Sequence, residues 1–183
     1  PQARRRINAR RFIASQTKGC YGMSKPRPYT PALGTRALTP LYDGAIALLT
    51  REKIWRSALI EAISINDGDR LLDVGCGTGT LAVRLAKSGR NVAIHGIDPD
   101  PEVLERARAK AARAKVSVNW HQGFLDDSFL NSRGKFDVIT SSLVFHQVPL
   151  AGKREILLAM RMTLKPEGRL FIADYSAQRT ALM

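Results

Sequence analysis

The sequence predicts an α/β fold in which helices cover both faces of a mainly parallel sheet. Three observations predict it. From Arg70 onward, short apolar runs alternate with segments of helical periodicity, which is the pattern of strands joined by crossover helices. The first apolar run opens into glycines at positions 75, 77 and 79, and a helical pattern follows at once. The length of 183 residues suits one domain with a hydrophobic core.

The individual elements follow from these patterns in chain order. Thr39 and Pro40 are typical of a helix start, and Thr50 is typical of the start of a second helix with one apolar face. We predict strands near residues 70–74, 92–97, 116–121, 136–141 and 168–174. We predict helices near residues 79–88, 100–114 and 151–164, and a turn at 165–168.

Much of the net charge of +13 lies at the amino end. Six positive charges fall in the first 22 residues, which contain no acid. Such a segment is typical of a nucleic-acid arm, a transit peptide, a twin-arginine signal or non-native sequence, and the absence of a following apolar stretch excludes the signal. We expect residues 1–38 to form a disordered leader and the native protein to begin at Met23.

Neither the apolar runs nor the cysteines indicate a membrane or an oxidising environment. No apolar run is long enough to span a membrane, and Cys20 and Cys76 make an implausible disulfide pair. No Cys or His spacing indicates a metal site. We therefore expect a soluble, cytoplasmic protein without a metal.

Residues suited to ligand binding follow four of the predicted strands. Because the carboxyl ends of parallel strands meet at one edge of a sheet, we expect these residues to lie close together. They are Asp73 with Gly75, Gly77 and Gly79; Asp98; the run from Gly123 to Asp126; and the run from Ser141 to His146. An ionised carboxylate at position 98 offers two acceptor oxygens, which suits the two hydroxyls of a ribose.

The spacing of the glycines excludes two nucleotide-binding motifs. A dinucleotide loop needs its third glycine where Thr80 stands, and a P-loop needs a Gly-Lys-Ser/Thr triplet that is missing. The loop also has no cationic side chain to meet a phosphate. The acid before the glycines instead favours a cationic or amine-bearing ligand.

Four motifs in order resemble those of class I S-adenosylmethionine-dependent methyltransferases. They are Asp73-Val74-Gly75-Cys76-Gly77-Thr78-Gly79, Asp98, Asp126 and Leu164-Lys165-Pro166-Glu167-Gly168-Arg169-Leu170. The resemblance covers residues 69–174 and is closest to the small-molecule branch that includes ubiquinone/menaquinone-type C-methyltransferases. It implies a three-layer Rossmann-like methyltransferase fold, S-adenosylmethionine as cofactor, and in-line methyl transfer to a small-molecule or lipid-like acceptor.

The resemblance implies contacts to the methionine part of the cofactor. Asp73 would contact its amino group, and the carbonyl of Ser141 would face its ammonium. Tyr42, in an amino-terminal helix, is the candidate for its carboxylate. The backbone of the loop would approach it at Gly75, Cys76, Gly77 and Gly79.

The same resemblance implies contacts to the nucleoside. Asp98 would hold the ribose hydroxyls, with Pro99 beside the adenine. Asp126 would accept from the adenine amino group, and Leu125 would supply a backbone donor. Leu143 would form a wall on the methyl-transfer side. Capping of a helix is the alternative role for Asp98, and for either Asp126 or its neighbour.

His146 is the catalytic candidate. An imidazole suits proton transfer near neutral pH, and a base is needed only where the acceptor must lose a proton. The alternative is that His146 packs or lines the acceptor side without a chemical role. His95 and His121 lie in or at the end of predicted strands, so we expect both to be structural. The basic face of the helix at 104–115 is expected to be solvated.

The resemblance also sets the expected boundaries. Residues 39–183 would form the cofactor-binding domain, with amino-terminal helices at 39–65 and the cofactor-binding core at 69–174. The chain ends nine residues past Asp174, where such enzymes usually add a helix and an antiparallel strand pair. We expect this pair to be lacking, and the exposed edge of the fifth strand to allow a homodimer.

Two other functions stay open. The basic charge is consistent with an RNA methyltransferase, and the missing strand pair is consistent with a cofactor-binding but catalytically incomplete fragment. The Asn/Asp-Pro-Pro-Tyr/Phe pattern of exocyclic-amine methylators is absent after the fourth strand, where Ser141-Ser142-Leu143-Val144 stands. A small-molecule acceptor is therefore favoured over a nucleic acid.

Overall fold

A five-stranded parallel sheet organises the part of the chain that the computed structural model describes, residues 52–88 and 90–174. The strand order is β3-β2-β1-β4-β5, and every neighbouring pair is parallel. The strands are β1 (Arg70–Val74), β2 (Ala93–Asp98), β3 (Asn119–Gln122), β4 (Phe136–Ser142) and β5 (Leu164–Ala173). This arrangement confirms the predicted α/β class and the mainly parallel sheet.

The described residues form five α-helices and one short 3-10 helix besides the strands. The 3-10 helix spans Phe145–Gln147. The α-helices are α1 (Glu52–Ile63), α2 (Thr80–Ala86), α3 (Pro101–Ala114), α4 (Asp127–Arg133) and α5 (Leu150–Thr163). Four of them match sequence predictions within a few residues. Helix α4 and the 3-10 helix were not predicted as helices, and the predicted start at Thr50 and the helix from Thr39 lie outside the described residues.

The capping residues differ in one respect from the expectation. Asp100, not Asp98, is the N-cap of α3, since its carboxylate accepts from the Glu102 amide at 2.9 Å and Pro101 occupies the first helical position. Asp126 is the N-cap of α4 and accepts from the Phe129 amide at 3.0 Å. The alternative between Asp126 and its neighbour is therefore settled in favour of Asp126.

Strand β5 begins earlier than predicted and contains an irregularity. Leu164 pairs with Phe136, but the next pair joins Arg169 to Val138. Between these two pairs lie four residues of β5 but only one residue of β4. Strand β5 therefore has three extra residues, which bulge out of the ladder. We predicted a turn at 165–168 that would separate the preceding helix from the strand. This prediction is wrong, because these residues lie within β5 and form its bulge.

Two hydrophobic clusters lie on opposite faces of the sheet because adjacent strand residues point in opposite directions. Leu71 and Val138 belong to one cluster, and Leu72 and Ile139 belong to the other. All four side chains are fully buried. The first cluster also takes in Ile63 of α1 and the apolar face of α2, whereas the second contains Phe129 of α4 and Met160 of α5. The helices therefore form the two outer layers.

The two strand histidines form a stacked pair at the edge of the sheet. His95 Nδ1 lies 3.0 Å from His121 Nε2, and the rings are 7° from parallel. Phe136 and Phe129 each pack edge-on against one of the rings. Burial lowers the pKa of His95 to about 4 and also lowers that of His121. Both rings are therefore neutral packing groups, as predicted.

Within the described ranges, no helix is long and apolar enough to cross a membrane, and no group of three or more His, Cys, Asp or Glu could hold a metal ion. Cys76 is buried and forms no disulfide.

Glycine at position 96 of β2 is required by packing. A Cβ atom there would lie 2.6 Å from the Trp120 ring and 3.0 Å from Cys76 Sγ. We expect Gly96→Ala to lower the free energy of unfolding by about 1–3 kcal/mol through overpacking. Denaturant unfolding measures this loss. In a Trp120→Leu background the same substitution should cost less, and an equal cost in both backgrounds would contradict the steric explanation.

Candidate functional site

The carboxyl ends of β1, β2 and β3 are joined to one another by backbone hydrogen bonds. The amides of Gly75 and Cys76 both donate to the Ile97 carbonyl, at 2.9 and 3.1 Å. The Gly123 amide donates to the Asp98 carbonyl at 3.0 Å. These contacts bring the loops after the three strands to one edge of the sheet, as the sequence predicted.

The three loop glycines share a left-handed backbone but differ in what surrounds them. Gly75, Gly77 and Gly79 have φ values of 69°, 52° and 72°. A Cβ at Gly75 would lie 2.4 Å from Val144, and one at Gly79 would lie 2.4 Å from the Trp120 ring. Among the described residues, no atom would lie within 4 Å of a Cβ at Gly77. Packing therefore explains two of the glycines, whereas no described side chain covers the backbone of Gly77.

Asp73 has one buried oxygen without a hydrogen-bond partner. The Thr140 hydroxyl donates to Asp73 Oδ1 at 2.8 Å. No donor among the described residues reaches Oδ2, although the residue is only 1% exposed. Burial raises the pKa of Asp73 to about 7, against the lowering effects of the Thr140 hydrogen bond and of the Arg56 charge. A buried acceptor left without a donor is costly, and a ligand that donates here would relieve that cost.

Asp98 holds the glycine loop against the start of α3. Its Oδ2 accepts from the Gly77 amide at 2.9 Å, and its Oδ1 accepts from the Asp100 amide at 3.0 Å. Burial raises the pKa of this carboxyl, and the two backbone hydrogen bonds counteract the rise. Each carboxylate oxygen has two acceptor sites, so the side chain retains capacity for further donors. Pro99 follows and is half-buried.

Cys76 is a neutral thiol in this loop. It is buried, and its pKa lies well above the usual range because burial and the charges of Asp73 and Asp98 disfavour the thiolate. A thiol in this state is a poor nucleophile. The side chain instead fills the space beside Gly96.

A lysine from α3 reaches the glycine loop. Lys110 Nζ donates to the hydroxyls of Thr78 and Thr80, at 2.9 and 2.6 Å. The prediction that this basic face is merely solvated is therefore wrong at Lys110. The loop itself has no cationic side chain, and the charge next to it comes from a different element.

The loop after β3 combines a core residue with a cap. Leu125 is buried in the same cluster as Phe129 and Phe145. Asp126 is exposed and uses one carboxylate oxygen to cap α4. The structure thus places both at the predicted edge of the sheet.

The end of β4 is fixed by two contacts. The hydroxyl of the buried Ser141 donates to the Val74 carbonyl at 2.9 Å. Leu143 has a φ of 58°, which costs about 1–2 kcal/mol for a residue with a side chain. Its amide donates to the Ala173 carbonyl at 2.9 Å, and this bond holds the strained residue in place. The chain therefore turns sharply between β4 and the 3-10 helix.

His146 lies in that 3-10 helix and contacts a residue the sequence analysis did not identify. Its Nδ1 is 2.7 Å from Asp174 Oδ1, just after β5. Its Nε2 is 3.1 Å from the side-chain amide nitrogen of Gln147. The structure therefore adds Asp174 to the carboxyl-end residues, together with Thr140 and Lys110. Tyr42 lies outside the described residues.

The comparisons with known proteins agree with this geometry. A family model described as "Methyltransferase domain" matches residues 65–182. The chain belongs to the methyltransferase domain family. By family and fold it is placed with the class I S-adenosylmethionine-dependent methyltransferases, whose cofactor is S-adenosylmethionine, and this confirms the predicted family, fold and cofactor.

Relatives of this methyltransferase include a ubiquinone biosynthesis O-methyltransferase from Actinobacillus pleuropneumoniae serotype 7. The two are 35% identical over 120 residues, which are 63% of this chain and 50% of the relative. The chain thus spans about half the length of the curated relatives it matches. A crystal structure of the YcgJ protein from Bacillus subtilis is 26% identical, with a TM-score of 0.58 over 67% of this chain and 50% of that one.

A further solved structure supports the fold alone. It is a SAM-dependent methyltransferase from Thiobacillus denitrificans in complex with S-adenosyl-L-homocysteine. It is 24% identical to this chain, with a TM-score of 0.52 over 64% of this chain and 46% of that one.

The residues at the strand ends fit the cofactor of this family. Within the described part of the chain, nothing covers the backbone of Gly77 and nothing donates to the buried Oδ2 of Asp73. Asp98 adds a buried carboxylate with unused acceptor capacity. A ligand with an ammonium group and vicinal hydroxyls satisfies both acids.

The Thr140 hydroxyl is the main hydrogen-bond partner of Asp73. We expect Thr140→Val to lower the free energy of unfolding by about 1–3 kcal/mol, because it leaves both buried oxygens without a donor. The loss should be larger at pH 8 than at pH 6, since ionisation of Asp73 near pH 7 raises its need for a donor. Denaturant unfolding at both pH values tests this. Thr140→Ser is the control that keeps the hydroxyl, and a pH-independent loss would disprove the explanation.

Proposed function

We propose that this methyltransferase transfers a methyl group from S-adenosylmethionine to a small-molecule acceptor, with the cofactor bound across the carboxyl ends of β1, β2 and β3. Two observations support this most directly: no described residue donates to the buried Oδ2 of Asp73, and no described atom lies where a side chain at Gly77 would stand. When bound, the cofactor supplies a methyl group on a positively charged sulfur, which makes that group electrophilic.

The proposed contacts to the amino-acid part of the cofactor are polar. Asp73 accepts from its ammonium group through Oδ2, because this oxygen is buried and has no donor among the described residues. The carbonyl of Ser141 is the second acceptor, on the neighbouring strand β4. The remaining backbone contacts come from Gly75, Cys76, Gly77 and Gly79. Tyr42 stays a prediction for the carboxylate.

The proposed contacts to the nucleoside come from β2 and β3. Asp98 accepts from the ribose hydroxyls while it keeps its bonds to the backbone amides. Pro99, Leu125 and Asp126 surround the adenine. Leu143, whose backbone is strained, forms a wall of the site on the side where the methyl group is transferred to the acceptor.

The protein's own contribution to the reaction is positioning. The backbone hydrogen bonds that join the strand ends hold the loops rigid, and alignment of two reactants can supply up to about 7–11 kcal/mol of the barrier. His146 is the proposed general base, on the side of β4 and β5. It is required where the acceptor gives up a proton.

We propose a hydroxyl as the acceptor atom. Several curated relatives are named ubiquinone biosynthesis O-methyltransferases, whereas the sequence resemblance pointed to a branch that includes C-methylating enzymes. None of the comparisons supports the alternative of an RNA methyltransferase. A cytoplasmic location and a homodimer through the edge of β5 stay predictions.

Cofactor binding through Gly77 is tested by calorimetry with S-adenosylhomocysteine. We expect the wild type to bind it and Gly77→Ala to bind at least tenfold more weakly, because the added methyl group occupies the open space above the loop. The left-handed backbone should cost about 1 kcal/mol of stability. Gly68→Ala is the matched control, since Gly68 has a φ of 85° and no neighbour within 4 Å. Equal binding by both variants would refute the proposed site.

Methyl transfer itself is measured with radiolabelled S-adenosylmethionine and a panel of hydroxyl-bearing small molecules, with RNA as the competing substrate. Label found in RNA and in none of the small molecules would refute the proposed acceptor class.

Cofactor binding should release protons near neutral pH. The free protein holds Asp73 half protonated at pH 7, because burial raises its pKa to about 7. An ammonium group beside it favours the ionised form and lowers the pKa, so the bound state holds fewer protons. Affinity for S-adenosylhomocysteine should therefore increase as pH rises from 6 to 8. Calorimetry in two buffers of different ionisation enthalpy measures the released protons. Asp73→Asn should abolish the release, and proton uptake by the wild type would contradict the assignment.

A further inference from the structure

Exposed apolar side chains concentrate at the carboxyl end of the described chain. Among the described residues, the large hydrophobic side chains that are exposed lie mostly on α5 and β5. The most exposed of these are Leu150, Leu158 and Met162, at 70%, 63% and 61%. All three belong to α5, and we call them the outer stripe.

The outer stripe lies on the side of α5 that faces away from the core. Its members are spaced at multiples of four residues, so they follow one side of an α-helix with a drift of about 40° per step. Ile156 and Met160 lie on the opposite side and pack in the second hydrophobic cluster. Helix α5 is therefore apolar on both sides, whereas a helix at the protein surface ordinarily has one polar side.

Basic side chains accompany the outer stripe. Arg154 and Arg161 are exposed and lie on the same side of α5. The Lys135 side chain donates to the carbonyl of Met162, which adds a third cation at the end of the stripe. None of the ion pairs formed within the described residues involves these three cations. The outer side of α5 thus combines long apolar side chains with positive charge.

A second copy of the chain is poorly suited to cover this surface. A two-fold contact uses the same residues on both copies. It would bring Arg154 and Arg161 of each copy into one apolar interface, while each α5 contributes a single acid, Glu155. Like charges placed together in this way oppose association. A partner that is both apolar and anionic fits better.

We propose that the outer stripe docks on a bilayer surface that contains anionic lipids. Leu150, Leu158 and Met162 enter the boundary between the headgroups and the acyl chains, and Arg154 and Arg161 extend to the lipid phosphates. The net charge of +13 on the whole chain favours the same partner. This docking goes beyond the proposed methyl transfer and does not depend on it.

The shape of the surface also fits a bilayer. The stripe runs along α5 from Leu150 to Met162, a length of about 18 Å. Because it is the outer side of one helix, it is convex, and it can enter a soft interface without a matching groove. It covers only the surface of the bilayer, as expected for a helix that lies in the plane of the interface.

Vesicle flotation tests the docking with the full chain and without cofactor. We expect the wild type to bind vesicles of phosphatidylcholine with about 30% phosphatidylglycerol, and to bind pure phosphatidylcholine at least tenfold more weakly. Arg154→Gln with Arg161→Gln should lower the partition coefficient roughly 25-fold, since each charge contributes about fivefold. Leu158→Gln with Met162→Gln should lower it more than tenfold at unchanged net charge.

The matched control removes the same charge from the other helical layer. Arg108 and Arg113 are exposed on α3, which contacts α2 through Lys110 and Thr80. Replacing both arginines by glutamine should change the partition coefficient less than threefold, because these positions do not touch the lipid. All variants alter exposed side chains, so their thermal unfolding midpoints should match that of the wild type.

A second measurement locates the contact, because the basic amino end of the chain also attracts anionic vesicles. We expect brominated acyl chains to quench the fluorescence of Leu158→Trp and not that of Ala112→Trp, which replaces an exposed residue of α3. The wild type supplies the background from Trp55 and Trp120. This comparison reports on α5 itself, whatever the amino end contributes to the total binding.

Several results would overturn the docking. Absence of binding to anionic vesicles would do so, and so would an equal loss in the α5 and α3 arginine variants or no quenching of Leu158→Trp. A dimer in light scattering that Leu158→Gln with Met162→Gln dissociates, with vesicle binding unchanged, would show that a second copy covers the stripe. Failure to bind S-adenosylhomocysteine would refute the proposed function and leave the vesicle result unaffected.

Discussion

Asp98 is the contact on which the candidate site depends. Its carboxylate binds the Gly77 amide in the loop after β1 and the Asp100 amide at the start of α3. One buried side chain thus fixes the glycine loop and the entry to α3 relative to β2. The Gly123 amide, on the Asp98 carbonyl, adds the loop after β3 to the same point. Because burial disfavours the charge on Asp98, the backbone amides are needed to keep it, and the charge in turn keeps the loops in place.

The three glycines of the loop are needed for two different reasons, close packing at two positions and contact with a ligand at the third. Val144 packs where a side chain at Gly75 would stand, and Trp120 does the same at Gly79. These two positions are closed by the protein itself. Gly77 alone opens outward, and it is also the glycine whose amide Asp98 holds. The backbone of that residue is therefore both accessible and immobilised, which is the combination that a preorganised ligand contact needs.

Local patterns were enough to predict most of the fold and the shared edge of the site. The alternation of apolar runs and helical periods identified β1, β2 and β4, and the spacing of glycines and acids identified the carboxyl-end residues. Helix α4 was missed because its seven residues, DSFLNSR, are short and largely polar. The bulge in β5 was read as a turn because Pro and Gly are typical of both.

The remaining differences concern contacts between residues that are far apart in sequence. Thr140 contacts Asp73 across 67 positions, Lys110 contacts Thr78 across 32, and Asp174 contacts His146 across 28. No local pattern marks such partners, because the pairing of strands and the packing of helices on the sheet bring them together. Thr140, for example, lies opposite Asp73 in the ladder between β4 and β1.

The bulge also affects how β5 can behave as the last strand of the described sheet. A regular ladder resumes only at Arg169, so the outer row of amides and carbonyls is evenly spaced from there to Ala173 and interrupted before it. Along the described residues, an added strand could form a regular ladder only with residues 169–173 of β5. Bulges of this kind are one way in which proteins make an edge strand less able to pair with another chain.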